Sequence, residues 1–245
     1  MARLVFWIGT CLFAFLPIVY LNFQDAVDPR LLLLDPMIAA EVSGDCCQTY
    51  YGFFSTLGVI FWMFTTAICG FAALILFAVS AARWRLIFAL FAFGFTGWLG
   101  FDDAFLFHEN IAPKIGMPQE LVLLVYCALA AGYTLAGWRI IRRCDWQLFI
   151  AAGACLAASL GIDTILHSTD PGVVILEDGS KFAGIVFWFS FHLSAMRQIL
   201  LEEIKGGVAY ELYDVGSDYV FGAPIQNESA ANRKTTRAAI VSLNP

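Results

Sequence analysis

The chain has three histidines, and each lies in or at the end of an apolar block: His108, His167 and His192. Carboxylates occupy the same kind of surroundings, namely Asp102, Asp103, Glu109 and Asp163. An ionisable side chain in hydrocarbon costs about 2.5 kcal/mol or more, so its default reading is functional. Imidazoles and carboxylates together support general acid–base catalysis, metal coordination or proton transfer. Asp102, Asp103 and Asp163 are therefore candidate catalytic groups. His108, Glu109, His167 and His192 are candidate metal ligands, for zinc before iron.

Spacing decides which of these groups can meet. If one helix runs through Asp102-Asp103-x4-His108-Glu109, then Asp102 and Glu109 share a face, two turns apart, while Asp103 and His108 point elsewhere. Other helices must then complete a site. Ser159, Asp163 and His167 form an i, i+4, i+8 stripe, which suits a carboxylate–imidazole hydrogen bond or two ligands on one ion. His192 sits roughly 15 Å of helix rise from one end of its block. A second face of that block carries Ser190, Ser194 and Arg197, with Arg197 expected to pair with an acidic residue in the bundle. Depths counted along the blocks bring Asp102, Asp103, Asp163 and His192 together in one half of the membrane, with His108 and His167 at the mouth.

Other readings fit the same residues: interhelical hydrogen bonds that fix the bundle, or proton or ion conduction. Haem held by His167 and His192 is disfavoured, because their depths differ by more than one helical turn.

The elements that carry these groups are long and apolar. Of 245 residues, 60% are hydrophobic and only 14% charged, against about a quarter charged in a soluble domain. The apolar residues come in blocks long enough to cross a bilayer as helices. The fold class is all-α, a polytopic transmembrane helical bundle of six spans. The spans run from Leu4 to Leu21, Phe53 to Ser80, Leu86 to Glu109, Glu120 to Trp138, Trp146 to His167 and Phe182 to Ile204. Residues 1–205 make up the bundle and residues 206–245 a cytoplasmic tail. The first block lacks a small-x-small cleavage site and reads as a retained span. Between the first two spans, a broken apolar stretch around Asp35-Pro36 is too short to cross and lies at the interface. Asp170-Pro171-Gly172 and Asp178-Gly179 read as turns.

Arginine sets the orientation. Arg83, Arg85, Arg139, Arg142 and Arg143 flank the spans on one side, and Arg3 and Lys205 join them there, whereas the other side has Arg30, Lys114 and Lys181. Both termini are thus expected in the cytoplasm, and the polar cluster faces outward. Gly94, Gly97 and Gly100 read as points of close helix approach. The 23 phenylalanines read as lipid-facing packing.

There is no C-x-x-C pair, so a thiolate zinc site has no support. Cys46 and Cys47 form a vicinal pair in an outer loop and read as free or non-locally paired thiols. A Gly-rich phosphate loop, a nucleophile elbow and a zinc-protease motif are all absent. The basic residues flank spans and form no nucleic-acid patch.

Asp102-Asp103-x4-His108-Glu109 at the end of a span resembles a motif of uncharacterised bacterial polytopic membrane proteins. That resemblance implies a multi-pass protein of the bacterial inner membrane. A more distant similarity is to the ceramidase-like CREST membrane hydrolases, which hold zinc in a helical bundle through histidines. It implies His108, His167 and His192 as ligands, with Asp102 or Asp163 orienting or deprotonating a bound water that attacks an ester or amide carbonyl. Those enzymes carry a His-x-x-x-His pair in a late span and usually seven spans, and this chain departs from them in both. Two functions follow as expectations. The first is a metal-dependent hydrolase acting on a lipid or other membrane substrate. The second is a non-catalytic subunit of a larger membrane complex, whose tail, with Tyr210, Tyr213, Tyr219 and Phe221, docks a partner.

Overall fold

The structure of the protein, a computed structural model, describes residues 2–24, 26–46, 48–166, 168 and 170–217. Cys47, His167 and the end of the tail from residue 218 lie outside the described residues. The chain forms two compact units, Met1–Glu202 and Glu203–Pro245. Of the second, only the continuation of the last helix is described.

Among the described residues there is helix and no strand. Six helices are long and apolar enough to span a bilayer: α1 (Ala2–Phe23), α4 (Phe53–Ala78), α5 (Arg83–Phe105), α7 (Gln119–Ile141), α8 (Trp146–Leu166) and α9 (Pro171–Ser217). The protein is therefore an all-α polytopic membrane bundle. Two short helices, α2 (Pro29–Leu33) and α3 (Pro36–Ser43), lie between α1 and α4. One turn of π-helix (Phe107–Ile111) and the three-residue α6 (Ala112–Lys114) follow α5.

The first unit is organised around α9. Its span is 61% buried, whereas the other spans are a third buried or less. Phe182, Phe187, Trp188, Phe191, Met196 and Ile199 of α9 are buried in the core. Large side chains such as Leu16, Phe71, Leu74, Phe77 and Leu135 are exposed on the outer helices, where lipid would contact them. Phenylalanine therefore serves both roles, since Phe61, Phe182 and Phe189 also pack edge to face inside.

Small residues set the α4–α5 contact. A Cβ on Gly100 would lie 2.7 Å from Trp62 Cβ, and one on Gly97 would lie 3.2 Å from Thr66 Cγ2. Gly94 has open space around it, so only two of the three glycines permit close approach.

Two helix boundaries differ from the sequence expectation. The α-helix of the third span stops at Phe105, because Leu106 adopts a left-handed conformation (φ 49°, ψ 46°). The last helix starts at Pro171, so Asp170-Pro171-Gly172 opens a helix instead of making a turn. Asp170 accepts hydrogen bonds from the N–H groups of Gly172 (2.9 Å, to Oδ1) and Val174 (3.0 Å, to the carbonyl). Proline suits the first helical position, where no N–H partner is needed. Asp178-Gly179 is then helix interior, and Gly179 lets Ile18 of α1 pack close.

The arginine-rich end is tied by Asp145, which is buried in the loop before α8. It pairs with Arg3 and accepts hydrogen bonds from Trp7 Nε1 (3.3 Å) and from Ser194 Oγ. Arg85 pairs with Glu202 at 2.8 Å. Arg197 is exposed, which corrects the expected pairing inside the bundle. Cys46 is disulfide-bonded, in contrast to a free thiol, and Cys11, Cys69, Cys127, Cys144 and Cys155 are free.

Candidate functional site

The break at Leu106 builds the site. A left-handed Leu costs about 1–2 kcal/mol. It turns the chain so that the next residues fold back over the end of α5. Buried Asp102 then receives two hydrogen bonds from His108: the backbone N–H to Oδ1 (2.9 Å) and ring Nδ1 to Oδ2 (2.6 Å). On a continuous helix the two residues would diverge. Tyr126 Oη of α7 donates to Asp102 Oδ1 at 3.0 Å, and Trp98 Nε1 donates to Tyr126 Oη at 3.0 Å.

The Asp102 carboxylate faces three donors, and a carboxylate only accepts. The His108 nitrogen facing it therefore carries the hydrogen, and Nε2 keeps its lone pair. Nε2 lies 3.5 Å from Glu109 Oε1. Burial works against the His108 cation, but the hydrogen bond and charge of Asp102 outweigh it, so the imidazole pKa is raised. Burial also pushes the Glu109 carboxyl up, against the opposing pull of His108 and Lys181.

A second polar group stands beside this one. Lys181 of α9 pairs with buried Asp103. Asp35, at the head of α3, accepts a hydrogen bond from Ser55 Oγ of α4 at 2.5 Å. Burial raises the Asp35 pKa, while Lys181 and Ser55 pull it down. Asp35, Ser55, Asp103, Asp178 and Lys181 line a cavity of about 20 Å³, room for about one water. Its apolar wall includes Phe54, Phe182 and Ile185. The two groups share one electrostatic neighbourhood, because Lys181 and Asp35 both act on His108 and Glu109.

Of the expected site residues, Asp102, Asp103, His108 and Glu109 lie in this neighbourhood. Asp163 of α8 is half-buried, and its like charge adds to the upward push on the Glu109 carboxyl. His167 lies outside the described residues.

His192 does not join them. It is fully buried in an aromatic cage with Tyr133, Trp188 and Phe191. Its Nδ1 donates to the Trp188 carbonyl (2.8 Å), which leaves Nε2 to accept from Tyr133 Oη (2.9 Å). Both ring nitrogens are thus occupied within the core. Among the described residues, no three His, Cys, Asp or Glu side chains converge to hold a metal ion.

Sequence reasoning missed Tyr126, Lys181, Asp35 and Asp178. A tyrosine hydroxyl or a lysine in an apolar helix was the available signal, since either needs a partner there.

The architecture defines a polytopic helical membrane protein with a buried polar cluster at one end of the bundle. The chain belongs to the family described as a domain of unknown function, DUF8692, whose model it matches over residues 5–195. No curated protein and no solved structure is significantly similar to it.

Proposed function

We propose that this chain is a multi-pass protein of the bacterial inner membrane, with both termini in the cytoplasm, that performs general acid–base chemistry at His108. The reaction class is hydrolysis of a lipid or other membrane-borne substrate near the outer leaflet. The observation that carries this reading is the pair of hydrogen bonds by which Asp102 orients His108. Such an orientation fixes the tautomer and leaves Nε2 to take a proton from water or a substrate hydroxyl. The carboxylate also stabilises the imidazolium that results. Glu109, beside Nε2, is placed to pass that proton on.

The metal-dependent form of this reading needs ligands beyond His108 and Glu109, with His167 as the remaining candidate. The test is a screen of purified protein against lipid esters, amides and phosphodiesters, with metal content measured per chain. Hydrolysis should be present in the native protein and lost in His108→Gln and Asp102→Asn. Hydrolysis that survives in His108→Gln would overturn the assignment. Stoichiometric zinc that disappears in His108→Gln would assign the chemistry to a metal-bound water.

A second reading, a subunit of a larger membrane complex, draws on the helix continuing past the last span to Ser217. Deleting residues 206–245 should then abolish co-purification with other membrane proteins.

A further inference from the structure

At the arginine-rich end, the start of α5, the end of α7 and α9 enclose a small cleft. Trp84 and Arg85 line it from α5, Ile140 and Arg143 from the end of α7 and its connector, and Gln198 and Glu202 from α9. The carboxylate of the cleft is already engaged: Glu202 pairs with Arg85 at 2.8 Å and accepts from Gln198 Nε2 at 3.2 Å. Gln198 Nε2 also donates to the Arg143 carbonyl at 3.3 Å, so the Arg143 backbone is tied down while its side chain is exposed. Arg83, Arg139 and Arg142 are exposed as well. Among the described residues, none of these four arginines has a carboxylate in ion-pair contact. The Arg142 guanidinium stands over the Trp138 ring, 5.9 Å from its centroid, and that of Arg85 over Trp84 at 5.2 Å. Both tryptophans are exposed, as at a membrane–water interface. A guanidinium is a planar fork of donors that fits a phosphate.

The surface next to these cations is apolar. Arg83, Ile87 and Leu90 recur at i, i+4 and i+7, and so share one face of α5. Leu135, Arg139 and Arg142 repeat that spacing on α7, whose helical backbone continues through Arg142 (φ −63°, ψ −24°). Ile87, Leu90 and Leu135 are all exposed. Each face thus carries cations at the end of the span and hydrocarbon further in, the same division as in a phospholipid. Free phosphate would use only the first half of it. A charge bias that merely orients the spans needs neither the cleft nor the apolar faces. We propose that this cleft binds an anionic phospholipid, with Arg143 and the exposed arginines beside it holding the phosphate and the acyl chains lying along α5 and α7.

The experiment is thermal unfolding of the full-length protein in neutral-detergent micelles, titrated with dioleoylphosphatidylglycerol, dioleoylphosphatidylcholine or inorganic phosphate. A ligand of the folded state raises the midpoint. Phosphatidylglycerol should raise it, and the other two at the same concentration should not. One arginine near an anionic lipid surface contributes about 1 kcal/mol, so each one removed should weaken the apparent affinity about fivefold. Arg142→Gln/Arg143→Gln should therefore weaken it about 25-fold. Lys114→Gln, an exposed cation beyond the other end of α5, should leave it unchanged. If the double variant does not fold, Arg83→Gln/Arg139→Gln supplies the same test.

Equal stabilisation by phosphatidylcholine would show a general lipid effect and overturn the proposal. Equal stabilisation by inorganic phosphate would make this a free-anion site and overturn the lipid assignment. An unchanged affinity in the folded arginine variants would leave these residues as an orientation signal only, and would also overturn it.

Discussion

Asp102 and His108 are joined by two hydrogen bonds because the α-helix that carries Asp102 ends before His108. Left-handed Leu106 is the hinge of that arrangement, and the bonds to Asp102 offset its strain. The site is thus a product of interrupting a span, at the end where the chain leaves the membrane.

This arrangement makes stability depend on pH with a definite sign. The His108 pKa is raised in the folded protein, so the folded state holds the proton more tightly than the unfolded state. The stabilisation is fully present below the unfolded value, near pH 6.5, and is lost as pH rises through the raised folded value. Thermal unfolding in detergent should show this loss in the native protein, and His108→Gln should lack it. An identical pH profile in the two would refute the assignment.

The residues of the site were legible in the sequence, but their geometry was only partly so. Asp102 and His108 stood out as ionisable groups at the end of an apolar block. Their bond did not, because no Gly, Asn or Pro marks Leu106 as a break, and a helix drawn through Glu109 separates the two. In sequence, Asp178 and Lys181 read as a loop and its edge, since Asp-Pro-Gly and Asp-Gly are turn signals as well as helix-start chemistry. His192 looked like a ligand because depth and residue type were visible, whereas the aromatic cage and the Tyr133 hydroxyl come from other helices. The six spans were legible from composition alone.

The role of His192 as a core residue gives a second prediction. Tyr133→Phe removes the donor to His192 Nε2 and leaves a buried acceptor unpaired, a cost of about 1–3 kcal/mol. Denaturant or thermal unfolding should show that loss, with hydrolysis and any metal content per chain unchanged. Metal that disappears with His192→Gln in a folded protein would contradict this role.

Helix packing supplies a contrast between two glycines on α5. Gly100→Ala places a methyl against Trp62 and should destabilise by about 1–3 kcal/mol. Gly94→Ala meets open space and should be neutral or stabilise by up to about 1 kcal/mol through helix propensity. Unfolding midpoints of the two variants measure the difference.

At the opposite end, Asp145 and Arg3 should behave unequally although they are partners. Asp145→Ala strips half-buried Ser194 and Trp7 of an acceptor and should cost about 1–3 kcal/mol. Arg3 is two-thirds exposed, so Arg3→Ala should cost at most about 1 kcal/mol. Equal losses in the two variants would show that the ion pair, and not the buried acceptor, holds this end together.

The Asp102–His108 bond is the claim on which the functional reading stands, and histidine-ring nitrogen NMR of Asp102→Asn against the native protein tests it most directly. Neutral native His108 should show an Nδ1–H tautomer, and its titration should move to lower pH in Asp102→Asn, where burial acts without the opposing charge. A native Nε2–H tautomer, or a titration unmoved by the substitution, would contradict it.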